Sequence, residues 1–136
     1  MEKKVAHLQL IQGVINRMAS NSFQVKGWSV VLVSALLALA SKDAPRVLVY
    51  LAFLPVVVFW PLDAYFLWQE RLFRRLYDSV RALNEDAIDF AMNTDVAGRD
   101  VPTWLGAMFS ITLVVFHGML IAAVGSAAFV LTRFSG

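Results

Sequence analysis

Few residues in this chain have the types and spacing to do chemistry, and they stand far apart. Asp63 is an acid inside an otherwise apolar run, between Pro61 and Tyr65. Lys26 stands at the head of a second apolar run, beside Trp28. His117 sits in the middle of a third, whose span from 103 to 132 has no acidic or basic residue. The chain has 2 histidines and no cysteine. Disulfides, thiolate zinc sites and cysteine nucleophiles are therefore excluded. His7 is the other histidine, and it lies in a different kind of segment, so no metal site is expected. Phosphate-cradling glycine loops, the H-E-x-x-H pair and the G-x-S-x-G elbow are all missing from the sequence. The expectation is a protein without enzyme activity or cofactor.

The charge balance excludes another class. Twelve basic residues stand against ten acidic ones. Nucleic-acid binding needs a basic face to meet phosphates, so none is expected here. The apolar fraction is 59% and the mean hydropathy +0.64. A soluble domain is nearer half apolar. The excess is gathered into three blocks, as in a membrane protein. The fold class expected is all-α: an integral membrane protein with three transmembrane helices, an amphipathic N-terminal helix and a cytoplasmic helical extension.

The elements follow from periodicity. Val5, Leu8, Ile11, Ile15 and Met18 recur at helical spacing, which predicts an amphipathic helix over 2–25. Its polar face is not strongly basic, which favours packing on the protein over lying in the membrane interface. The block from Trp28 to Ala40 alone would reach only about 20 Å as helix, short of the ~30 Å hydrocarbon core. Extending it back past Lys26, whose ammonium can reach the headgroups, places span one at 23–41. Ala38-Leu39-Ala40 has the look of a signal-peptide cleavage site. The long patterned segment before it argues for a retained helix.

A turn from Ser41 to Pro45 leads into span two at 46–68, where Pro55 and Pro61 predict a kink. Residues 69–95 read as a charged helix continuing out of that span. Leu72, Phe73, Leu76, Tyr77, Val80, Leu83 and Ile88 form its apolar stripe. A break at 97–102, around Gly98, precedes span three at 103–132. The N-terminal segment and the long loop carry nine basic residues, against three on the other side. The positive-inside rule then puts the N-terminus in the cytoplasm and the C-terminus outside, in the periplasm if the membrane is a bacterial inner one.

Within this frame the chemical residues acquire roles. Lys26 and Asp63 enter the membrane at one level. They form a structural pair, or Asp63 belongs to an ion or proton pathway. His117 makes an interhelical hydrogen bond, or it gates or relays protons. Gly118, Ala122 and Ser126 recur every four residues beside it. Such a small-residue stripe packs helices closely, either within one copy or between copies of a homo-oligomer. Arg71, Arg74 and Arg75, just inside the membrane, suit lipid headgroups or a soluble protein partner.

Two stretches carry a family resemblance. One is Ile11-Gln-Gly-Val-Ile-Asn-Arg-Met-Ala-Ser-Asn-Ser-Phe-Gln-Val-Lys-Gly-Trp28; the other is Trp60-Pro-Leu-Asp-Ala-Tyr-Phe-Leu-Trp-Gln-Glu-Arg-Leu-Phe-Arg-Arg-Leu-Tyr-Asp78. Together they cover about a quarter of the chain. They resemble a widespread group of small bacterial membrane proteins. Some of that group look like membrane-spanning effectors encoded beside anti-phage defence genes. The resemblance implies that the two stretches meet at the cytoplasmic face. It implies a non-enzymatic inner-membrane effector that oligomerises and perturbs the membrane. The alternative is a scaffold or accessory subunit that recruits a soluble partner through helix 69–95.

Overall fold

The computed structural model describes residues 1–40, 45–95, 101 and 103–134. The expected turn at Ser41–Pro45 and the expected break around Gly98 lie mostly outside them. The described residues form helices α1 (Glu2–Leu39), α2 (Val47–Leu51), α3 (Phe53–Arg81), α4 (Trp104–Met108) and α5 (Ile111–Phe134). Three helical stretches are long and apolar enough to cross a membrane: α1, α2 with α3, and α5. The all-helical class and the three candidate spans thus agree with the sequence reading, while several boundaries differ.

The amphipathic helix and span one are a single helix. Asn16, Ser20, Asn21 and Gly27 are poor helix formers, and suggest a joint before span one. The inward face overrides them. Ile11, Ile15, Ser22, Val25, Ser29 and Val33 are all buried, at spacings of three, four or seven. That repeat keeps one stripe against α3 along the whole length, so nothing breaks the helix. At about 1.5 Å per residue α1 is about 57 Å long, nearly twice the ~30 Å hydrocarbon core. A crossing of such a core takes up only about half of that length; the first half of α1 forms a stalk, paired with the far end of α3. Ile11, Ile15, Leu76 and Val80 form the stalk core. Val33, Ala52, Val56 and Val124 form the core at the other end.

The break in span two falls at Ala52, not at either proline. Pro55 accounts for it: a proline ring clashes with the carbonyl four residues earlier, here Leu51, the last residue of α2. Pro61 stays inside a continuous α3.

Span three is likewise interrupted, at Phe109 and Ser110. Ala107 and Leu113 both pack with Ala64. On one straight helix, positions six apart would point roughly a third of a turn away from each other. The break lets both face the same neighbour.

The charged helix expected over 69–95 ends at Arg81. Asn84 is extended, Glu85–Ala87 make one 3-10 turn, and Phe90 has a positive φ of 56°. Side chains of this segment capture its amides: Asp89 accepts from the Ala91 N–H at 3.0 Å and Asn93 from the Asp95 N–H at 2.9 Å. Such local bonds compete with helix formation. The strap so formed folds back along α1. Ile88 covers the stalk core. Glu85 accepts the Lys3 and Lys4 amides at 2.8 and 3.2 Å, capping α1, and meets the Met1 ammonium. His7, buried in α1, bonds the Ala91 carbonyl through Nε2 at 2.8 Å.

The Met1 ammonium, and then the two amides, hold the Glu85 carboxyl below its ordinary range. A depressed acid contributes stability above its unfolded value and loses it as pH falls through the folded one. We expect Glu85→Gln, or acidification below the ordinary carboxylate range, to speed proteolytic cleavage within 84–95. Cleavage at the wild-type rate in both cases would show that Ile88 and His7 hold the strap without Glu85.

Candidate functional site, a buried charge cluster joining three helices

Asp63 is fully buried, and helices α1, α3 and α5 converge on it. From α1, Lys26 places Nζ 2.7 Å from Asp63 Oδ2 and 2.9 Å from Oδ1. Ser22, one turn before Lys26, donates its hydroxyl to Asp63 Oδ1 and accepts from Lys26 Nζ at 2.8 Å. From α5, His117 Nε2 lies 2.9 Å from Asp63 Oδ2. His117 is also fully buried. A carboxylate only accepts, so the imidazole proton of neutral His117 sits on Nε2.

Aromatic rings wall the cluster. Trp60 stacks on the His117 ring at 5.5 Å between centroids and 10° between planes. Phe116 meets it edge-on at 5.0 Å, and the Lys26 ammonium lies 5.8 Å from the Phe116 centroid. Both indoles at the α4 end are tied down. The Trp60 N–H donates to Met108 O at 2.9 Å, and the Trp104 N–H to Pro61 O at 3.0 Å.

The cluster keys the helices at one height. From it to the far helix end is about 20 Å along α1, about 24 Å along α2 and α3, and about 26 Å along α5, at about 1.5 Å per residue. If the far helix ends lie at one face of a ~30 Å core, the cluster stands about 4–10 Å inside the other face. On its far side Val33, Ala52, Val56 and Val124 pack together. A polar route through one copy would have to cross that apolar layer.

What the arrangement can do chemically is limited by where the protons go. A serine and a lysine one turn apart can act as nucleophile and base. Here the Ser22 proton is committed to Asp63 rather than to Lys26. Ser22 also lies mid-helix, where the neighbouring amides are spent on helix bonds and cannot form an oxyanion hole. Among the described residues no group of three or more His, Cys, Asp or Glu could hold a metal ion. The geometry is that of an ion pair extended by two hydrogen-bond donors.

The sequence-derived candidates fall into three places. Lys26 and Asp63 are brought together. His117, read from sequence as a neighbour of the small-residue stripe, turns the other way and joins Asp63. Span three seats on the other helices through Leu113, His117, Leu120 and Val124. Gly118 is half-exposed, and Ala122 and Ser126 are exposed. Beyond its chain neighbours and the backbone of its own helix, no atom lies within 4 Å of where a Gly118 Cβ would stand. The stripe thus faces away from its own copy. Arg71, Arg74 and Arg75 lie on α3 about 12–18 Å beyond Asp63, on the stalk. Arg74 pairs with Glu70 at 2.8 Å. Ser22 and Trp60 were missed by sequence reasoning. Ser22 had a signal, its position one turn before Lys26; Trp60 had none beyond its ring.

Removing one member of a buried pair leaves the other charge unmatched, at about 3–5 kcal/mol. Asp63 serves three donors and Lys26 two acceptors, so Asp63→Asn should lower the melting temperature in detergent more than Lys26→Met. The double variant should recover part of the loss, a coupling on the order of 0.5–3 kcal/mol. Strictly additive losses would mean the pair is not energetically coupled. No protein-family model, curated protein or solved structure matches this chain, so the role of the cluster rests on its own geometry.

Proposed function

We propose that this chain is a non-enzymatic effector of a bacterial inner membrane, which assembles from several copies and perturbs the membrane, in the manner of effectors found beside anti-phage defence genes. The observation that carries the reading is the face α5 turns outward. Leu113, His117 and Val124 seat it on its own hairpin, while Gly118, Ala122 and Ser126 are left uncovered, among exposed apolar residues such as Met119 and Phe129. In lipid there is no hydrophobic drive between helices, and small faces are where backbones approach closely enough to associate. The apolar layer beyond Asp63 adds to this, because action on the membrane then falls to several copies together.

A second reading is a scaffold that recruits a soluble partner. The stalk favours it. It lifts Arg71 and Arg75, which form no ion pair among the described residues, clear of the hydrocarbon. Both readings place the stalk in the cytoplasm and the end of α5 on the opposite side, following the basic residues.

Gly118→Leu or Ala122→Leu should shift the protein to a smaller species in native mass spectrometry, with any toxicity on overexpression falling in parallel. Val31→Leu, on the exposed side of α1, is the control and should change nothing. An unshifted oligomer, or a wild-type monomer, would pass the lead to the scaffold. Orientation is checked separately. A reporter active only in the periplasm should be active after Gly136 and silent after Asp95. The reverse pattern would place the stalk outside.

A further inference from the structure

The charge count of the Asp63 cluster leaves one titratable atom unused. Asp63 supplies one negative charge and Lys26, within 2.9 Å of both carboxylate oxygens, one positive. His117 spends Nε2–H on Asp63, so Nδ1 of the neutral ring is a bare acceptor. That atom is buried and has no hydrogen-bond partner. We propose that His117 Nδ1 is a proton-binding site, and that filling it loosens span three from the hairpin.

The physics is a count of partners. A proton on Nδ1 turns a neutral cluster into one of net charge +1 and creates a buried N–H with no acceptor. The imidazolium is drawn to Asp63, but Lys26 already matches that carboxylate, so two cations compete for one anion. The neighbours offer no further acid. From α1, Lys26 and the neutral Ser22 face the site; from α3, Asp63 and the Trp60 ring. α4 has no titratable side chain, and the charged residue of α5 is Arg133, about 24 Å along the helix. A buried charge without a partner costs several kcal/mol, and hydration removes much of that cost. With the far helix ends at one face of a ~30 Å core, the nearer face is about 4–10 Å away. Tilting α5 carries His117 toward it against the bond to Asp63, weakened by competition with Lys26, the Trp60 stack and the apolar contacts of Leu113, Leu120 and Val124. The inference does not depend on whether copies assemble.

Two measurements test it. The chain has 2 histidines, so His7→Gln leaves one imidazole for 15N spectroscopy in liposomes. The expected spectrum shows the Nε2–H tautomer at about pH 8 and the imidazolium at about pH 5. A ring still neutral at the lower pH, or protonated on Nδ1 at the higher one, would overturn the proposal. The chain has no cysteine, so spin labels at Val31→Cys and Phe129→Cys, both exposed, report the spacing of α1 and α5 without background. A second, longer-distance population should grow in on acidification and be absent in His117→Gln, whose amide still donates to Asp63 but does not titrate. Unchanged distances would overturn the release step. The same change in His117→Gln would assign the acid response to Asp63 and overturn the role of His117.

Discussion

A buried carboxylate must be matched where it stands, and the arrangement of this protein follows from that requirement at Asp63. Asp63 is fully buried, and its partners among the described residues are side chains of both neighbouring spans. Lys26 and Ser22 fix the height of α1 against α3. His117 fixes the height of α5 against both. A slip of one turn in any of them, about 5.4 Å, would leave a buried charge or imidazole without its partner. Apolar contacts alone do not set register in this way, because one valine meets another nearly as well a turn away.

The two halves of the hairpin are held by different forces. In the stalk, Ile11, Ile15, Leu76 and Val80 leave water when they pack, and each contributes about 1.5–3 kcal/mol. If the other half lies in lipid, Val33, Ala52, Val56 and Val124 exchange lipid contacts for protein contacts there, and only close packing remains as a gain. That half has the greater need of a polar lock, and the lock sits at the border between the two. The strap belongs to the watery side. Its bonds to α1 are a carboxylate cap and an imidazole-to-carbonyl bond, which would be far costlier to assemble in lipid.

Class and span number were legible because they rest on long apolar blocks. The meeting of Lys26 and Asp63 was legible for a simpler reason: a short connection forces an antiparallel hairpin, and both charges stand at its open end. The strap was not. The stripe from Leu72 through Val80 to Leu83 and Ile88 keeps helical period beyond Arg81, and only the local bonding of Asp89 and Asn93 undoes it. Nor was the joint in span three legible, since Phe109 and Ser110 carry no helix-breaking signature. The interhelical hydrogen bond expected of His117 is present, to Asp63; only its grouping with the small-residue stripe as one packing face does not hold. Successive helical positions are about 100° apart, so Gly118 can face outward while His117 faces in.

That angular separation gives α5 two faces with opposite properties. The inner one carries the polar bond and the buried Leu113 and Val124; the outer one carries the stripe Gly118, Ala122 and Ser126 among exposed bulky residues such as Ile111, Met119 and Phe129. Helix association in lipid weighs one set of van der Waals contacts against another, so a helix can be held firmly on one side and remain available on the other. A single copy uses the inner face completely: Leu113, His117 and Val124 are at most 1% exposed. Whatever changes the bond at His117 therefore also changes the tilt at which the outer face is presented. The lock and the uncovered face belong to one rigid helix, and neither can be altered without the other registering it.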